Sequence, residues 1–176
     1  MNSLIISAVG SDRPGIVSEI SGVINSIGGN VEESRMSCLG SDFAIIMLVS
    51  VANDWQESME VALQAVNGLT IITKPTKKQE IIEGIKYQID LSGADNEGIV
   101  KVLSKYLAGK SINILELKTN ISNAPVTGSP LFNLEATTAV PKNLNISDIQ
   151  SGLNQIAQKL GIEITINQSE YSTETA

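Results

Sequence analysis

The residues best placed to do chemistry in this chain lie in one short stretch, Gly10-Ser11-Asp12-Arg13-Pro14-Gly15, which leads into a segment of helical periodicity. Asp12 is expected to cap that helix, Pro14 suits a first turn where no N–H is needed, and Gly15 leaves backbone N–H groups uncovered. A helix N-terminus free of side chains seats a carboxylate or a phosphate. The same residues also make a well-capped helix start with a tight turn, which accounts for Gly10, Asp12 and Pro14 without any ligand. Gly15 is left over by that reading, because glycine in a first turn costs about 1 kcal/mol relative to alanine. Either a bound ligand or close packing against a neighbouring strand would require it.

Other chemistries are excluded by what the sequence lacks. There is no histidine, which removes the commonest general base, the usual metal ligand and every histidine-based triad. Cys38 is the single cysteine, so neither an internal disulfide nor a thiol cluster for copper or zinc can form within the chain. No catalytic residue, metal site or cofactor is expected. Nineteen acidic against twelve basic residues give a net charge of −7, which repels the phosphate backbone that direct nucleic-acid binding must grip. Aromatics make up only 3%, leaving no platform on which bases could stack, so an RNA-recognition reading fails too.

The elements that must position the loop follow from patterning. With 42% hydrophobic and 18% charged residues, the chain is globular, its core built from Ile, Val, Leu, Ala and Met. The first residues show no basic region ahead of an apolar stretch, and the longest apolar run, Phe43 to Val49, is about a third of the roughly 20 residues that span a bilayer. A cytoplasmic protein without membrane contact is expected. The stretch Gly10 to Val17 recurs as Gly93-Ala94-Asp95-Asn96-Glu97-Gly98-Ile99-Val100, and the same offset of 83 carries Asn30 to Asn113 and Glu33 to Glu116. Phe43 matches Phe132 at an offset of 89, so six residues are inserted within Ser122 to Pro130, a Pro/Gly/Ser-rich loop.

Each copy reads as βαββαβ. In copy one an apolar run, Leu4 to Val9, precedes a helix with Ile16, Ile20, Val23, Ile24 and Ile27 on one stripe. Two strands, Val31 to Leu39 and Phe43 to Val51, flank a hairpin turn at Gly40-Ser41-Asp42; a helix capped by Asp54 and a strand at Leu69 to Thr73 follow. Copy two repeats the order, its second helix capped at Ser147 or Asp148 and its last strand carrying Ile162, Ile164 and Ile166. The fold class is therefore α+β: two ferredoxin-like units in tandem, antiparallel sheets with helices on one face. The expected boundaries are 1–75 and 85–168, with a linker at 76–84 and a polar tail at 169–176.

Asp12-Arg13-Pro14-Gly15-Ile16-Val17, Gly28-Gly29-Asn30-Val31, Ser34-Arg35-Met36, Gly40 and Phe43 to Val49 resemble the ACT domain, a small-molecule regulatory module. Copy two resembles it with a degraded loop. Two such domains with little else are similar to the glycine cleavage system transcriptional repressor family. The resemblance implies two ACT domains and a non-enzymatic regulator, with glycine as the expected signal and a DNA-binding transcriptional activator as the protein it contacts. It also implies that ACT units pair through their sheet edges, within a chain or in a homo-oligomer. An amino acid then lies between the loop of one unit and the second strand of its neighbour. That carries over to Asp12, Arg13, Pro14, Gly15, Asn30 and Val31. Copy two retains Asp95, Gly98, Asn113 and Ile114, but Asn96 and Glu97 replace Arg13 and Pro14, and Glu97 would repel a ligand carboxylate.

Competing readings stand beside these. A regulatory subunit of a metabolic enzyme would use the same residues, and an acylphosphatase-like hydrolase could cast Arg13 to hold phosphate and Asn30 to orient water. The glycine and aromatic pattern around such an arginine is missing. Asn30 could equally serve the turn after Gly28-Gly29 by tolerating left-handed backbone. Glu32, Glu33 and Arg35 read as solvated edge residues, Lys74, Lys77 and Lys78 as a solvated linker, and Cys38 as a packed or half-exposed strand residue. Trp55 is expected to pack at the start of the second helix, and the inserted loop reads as a recognition surface or a tolerated insertion.

Overall fold

The structure is a computed structural model that describes residues 1–77, 84–94, 97–124 and 128–169. The chain divides into two compact units, Met1–Glu80 and Ile81–Ala176. The first contains β1 (Asn2–Ser11), α1 (Ile16–Ser26), β2 (Asn30–Leu39), β3 (Asp42–Val51), α2 (Gln56–Gln64) and β4 (Thr70–Thr76). The second repeats this with β5 (Ile85–Ala94), α3 (Ile99–Gly109), β6 (Asn113–Asn123), β7 (Pro130–Val140), α4 (Ile146–Leu160) and β8 (Ile162–Gln168). Both sheets are antiparallel, ordered β2-β3-β1-β4 and β6-β7-β5-β8. These are the two βαββαβ units of the tandem ferredoxin-like fold.

Period-two alternation explains the sheets. Leu4, Ile6 and Ala8 of β1 and Ile45, Met47 and Val49 of β3 turn to the helices and are buried, meeting Ile16, Ile20 and Ile24 of α1 and Met59 and Leu63 of α2. The second core is built alike from Ile89, Leu91, Leu134 and Ala136 under Leu103, Leu107, Ile149 and Leu153. Removing one such side chain, as in Ile20→Ala, costs about 2–5 kcal/mol. Gly40, at φ +65°, lets β2 and β3 join through a two-residue turn. Both edge strands carry a bulge at the same place: the β2–β3 register shifts between Val31 and Glu33, and the β6–β7 register between Ile114 and Glu116.

Helix starts depart from expectation. Asp12 does not cap α1; the helix begins one residue after Gly15, which sits at φ +92° with no side-chain cap. Pro14 therefore precedes the first turn rather than occupying it. Asp54 lies in a single 3₁₀ turn, Asn53–Trp55, and α2 starts after it with no side-chain cap, while Trp55 is 55% exposed. The cap of α4 is Asn145, whose side-chain oxygen accepts from the Ser147 N–H at 2.9 Å. An Asx residue two positions earlier than Ser147 and three earlier than Asp148 reaches the second amide of the helix, which the later residues cannot.

Candidate functional site

The loop between β1 and α1 is held on three sides. The Asp12 N–H donates to the Ser41 carbonyl at 2.9 Å, tying the loop to the β2–β3 turn. Arg13 bonds the Glu19 carboxylate in the first turn of α1 and donates to the Asn67 carbonyl at 3.3 Å. Gly10, at the end of β1, faces Phe43 across the ladder and lies so close to Gly68 that a Cβ there would overlap the Gly68 carbonyl oxygen. Glycine at position 10 is thus demanded by packing. Gly15 is demanded by backbone conformation, since nothing lies within 4 Å of a Cβ placed on it while its φ is +92°. Close strand packing, one of the two reasons the sequence allowed, is thereby excluded for Gly15.

The consequence is an uncapped helix start. The amides of Ile16, Val17 and Ser18 precede the first intrahelical bond, which the Glu19 N–H makes to the Gly15 carbonyl at 2.9 Å. They border an open cleft of about 530 Å³ lined by Asp12, Arg13, Gly15, Val17, Ser21 and Phe43, among others. Positive helix-end potential, a carboxylate and a guanidinium meet at its mouth, which suits a zwitterion. Cys38, an exposed residue at the end of β2, places its sulfur 3.8 Å from Asp12 Oδ2. Restricted hydration at the turn, then the negative charge of Asp12, push this thiol above its ordinary value. It is therefore a poor nucleophile at neutral pH.

Asn30 and Val31 are not part of that cleft. Asn30 is exposed at the start of β2, opposite Ser50, whereas the loop adjoins the other end of the strand, where Leu39 pairs Asp42 and Asp42 pairs Ser11. Ten strand residues separate the two ends, roughly 30 Å. Asn30 does not adopt left-handed backbone; Gly28, at φ +72°, takes that role. In the second unit Gly98 starts α3 at φ +85° without a side-chain cap, and exposed Glu97 precedes it. Asn113 and Ile114 begin β6, paired to Ala139 and Thr138. Asp95 and Asn96 lie outside the described residues, as do most of the expected linker, the middle of the inserted loop and the tail beyond Ser169.

Lys74 belongs to edge strand β4, not to a linker. The Arg13 anchor and the Phe43 wall of the cleft escaped sequence reading. A charge pair six residues apart across a turn has no periodic signature, and Phe43 read only as a strand residue. No helix of the described residues is long and apolar enough to cross a membrane.

The ACT domain family matches residues 2–71. The glycine cleavage system transcriptional repressor of Escherichia coli (strain K12) is 28% identical over 96% of this chain and 91% of its own length. A UPF0237 protein of Methanococcus maripaludis is 34% identical over 36% of this chain and 73% of its own length. The crystal structure of an unknown protein from Galdieria sulphuraria is 35% identical, superposes with a TM-score of 0.81, and covers 96% of this chain and 98% of its own.

Proposed function

Because this chain belongs to the ACT domain family, as a tandem pair similar along its length to glycine cleavage system transcriptional repressors, we propose that it is a non-enzymatic regulator that senses a small amino acid, glycine first, and acts on transcription through an activator protein. The observation that carries this reading is the uncapped N-terminus of α1 opening into a cleft beside Asp12. Backbone amides receive the ligand carboxylate, and the Asp12 carboxylate receives its ammonium group. A small ligand suits a site whose donors are main-chain groups. Histidine is absent from the chain, and the Cys38 thiol, pushed above its ordinary value, is a poor nucleophile at neutral pH.

Asn30 enters the site only from a neighbouring unit. Antiparallel pairing of one β2 edge with another reverses the strand direction, so the start of one β2 comes alongside the end of the other. That brings a neighbour's Asn30 and Val31 beside the loop at residues 12–15. The loop of the second unit is the weaker site, because Glu97 stands at its helix start and repels a carboxylate. With a net charge of −7, contact with promoter DNA has to be made by the activator rather than by this chain.

Calorimetry with glycine, serine and larger amino acids tests the sensing step, and a gel shift tests the second. The protein alone should leave target promoter DNA unshifted and should modify the shift produced by the activator. Absence of heat with every amino acid would reduce the loop to a structural turn. Specific retardation by the protein alone at physiological salt would overturn the indirect mechanism, and co-purification with a metabolic enzyme in place of a transcription factor would move the regulator to that target.

A further inference from the structure

Each unit packs one sheet face on its helices and leaves the other open, and the two open faces differ in chemistry at matching positions. In the first unit Ile46 and Ile72 flank Ser7, and Leu48 and Lys74 flank Ile5, in two successive cross-strand rows. Val9 stands one row further. Ile46 is 47% and Ile72 65% exposed. In the second unit the same rows read Glu135, Asp90, Thr165 and Thr137, Gln88, Asn167. There the polar groups bond one another: the Gln88 amide donates to Asp90 at 3.0 Å, the Thr137 hydroxyl to Gln88 at 3.2 Å, and the Ser92 hydroxyl to Asn133 at 3.0 Å. Asp90 directly opposite Glu135 is a like-charge pair that favours contact with water. The second face is thus built for solvent, and the first is not.

We propose that the open face of the first unit is covered by the same face of a second copy of this chain, the two sheets stacked about a two-fold axis parallel to the strands. Charge order within one row selects this occupant. Across the sheet that row runs Glu33, Leu48, Ile5, Lys74, from edge β2 to edge β4. Rotation about an axis between β1 and β3 lays β2 of one copy over β4 of the other at the same level. Glu33 then faces Lys74 of the second copy, and Lys74 faces its Glu33, with Ile5, Leu48 and Ile46 closed between them and Ile72 at the β4 edge meeting the aliphatic stem of the second copy's Arg35. Sheets stack about 10 Å apart, a gap that a glutamate and a lysine together span. The contact is isologous, so each favourable pair occurs twice. Glu33 already bonds Arg35 on its own strand at 2.9 Å, with both side chains more than half exposed, so turning toward Lys74 disrupts no buried pair.

The test uses the full chain in sedimentation equilibrium. Ile46→Glu installs the residue that the second unit carries at the matching position, and Ile72→Thr does the same at its neighbour. Each should weaken association more than tenfold and halve the assembled mass at a concentration where the wild type is associated. Glu33→Lys and Lys74→Glu, both at exposed edges, should each weaken it about tenfold, and the double variant should restore it, because reversal of both charges preserves the order. Pairing through the β2 edge is insensitive to Ile46 and Ile72. Association unchanged in both apolar variants, failure of the double charge reversal to rescue, or a wild type that stays monomeric at millimolar concentration would each overturn the proposal.

Discussion

Asn30 and Asp12 stand at opposite ends of the same four-stranded sheet, one at the start of β2 and the other beyond the end of β1. If both contact one ligand, they do so from two different units. Asp12→Ala and Asn30→Ala should each weaken glycine binding at least tenfold by calorimetry. Where the units come from different chains, an equimolar mixture of the two variants should regain sites, since one interface of the mixed pair combines an intact loop with an intact Asn30. Both residues belong to the first unit, so a shared ligand needs two chains, and a mixture as silent as its components removes Asn30 from the site.

Gly10 and Gly15 are five residues apart and fail for different reasons when a Cβ is added. At Gly10 the methyl group meets the Gly68 carbonyl oxygen, a backbone atom that cannot rotate aside, so Gly10→Ala should cost about 3 kcal/mol. At Gly15 there is open space and only the left-handed φ to oppose the substitution, which should cost about 1 kcal/mol. Urea titration followed by far-UV dichroism measures both. Gly15→Ala should retain the fold while losing ligand binding, because a right-handed residue there redirects the first amides of α1.

Restricted hydration, and then the negative charge of Asp12, hold the Cys38 thiol up, so at pH 8 less of it is thiolate than in a free cysteine. Alkylation by iodoacetamide should therefore run slower than for a cysteine peptide despite the exposure of the residue. Asp12→Asn should speed it, and shift the pH–rate profile toward lower pH. An alkylation rate equal in the two proteins would separate the thiol from the carboxylate.

The parts of this fold that were readable in sequence are those fixed by periodicity and repetition. The alternation in β1, the stripe of α1 and the constant offset between Asp12, Asn30 and their second copies define the order of elements. Caps were read less well. Asp12 has the right chemistry but lies too far upstream of Ile16, and a left-handed glycine opens α1 in its place. The bulges at Glu32 and Leu115 and the anchoring of Arg13 on Asn67 depend on where separate segments meet, which local pattern does not encode. The contrast between the two open sheet faces was present in the alternation of β1 against β5, yet it acquires meaning only once register aligns Ile46 with Ser7 and Glu135 with Asp90.

Tyr106 and Gly152 join the two helices of the second unit, and their coupling should be measurable. The Tyr106 hydroxyl donates to the Ile149 carbonyl at 3.0 Å, and a Cβ on Gly152 would overlap that hydroxyl and the ring behind it. Alanine is the better helix former by about 1 kcal/mol, so a purely local account makes Gly152→Ala stabilising. The contact reverses the sign: Gly152→Ala should destabilise by about 1–2 kcal/mol as the ring is driven off α4. Tyr106→Phe should cost about 1 kcal/mol for the lost hydrogen bond. In the double variant the atom nearest the new methyl group is gone, so the two costs should sum to more than is observed. Burial, and then the negative charge of Asp148, push the Tyr106 phenol above its ordinary value. Ionisation is thus harder in the folded chain, so the associated stability is fully present below the unfolded value near 10 and is lost as pH rises through the folded one. Ultraviolet difference titration of the wild type against Tyr106→Phe should show the missing phenol titrating above the ordinary value near 10, and a missing phenol that titrates at or below that value would contradict this packing.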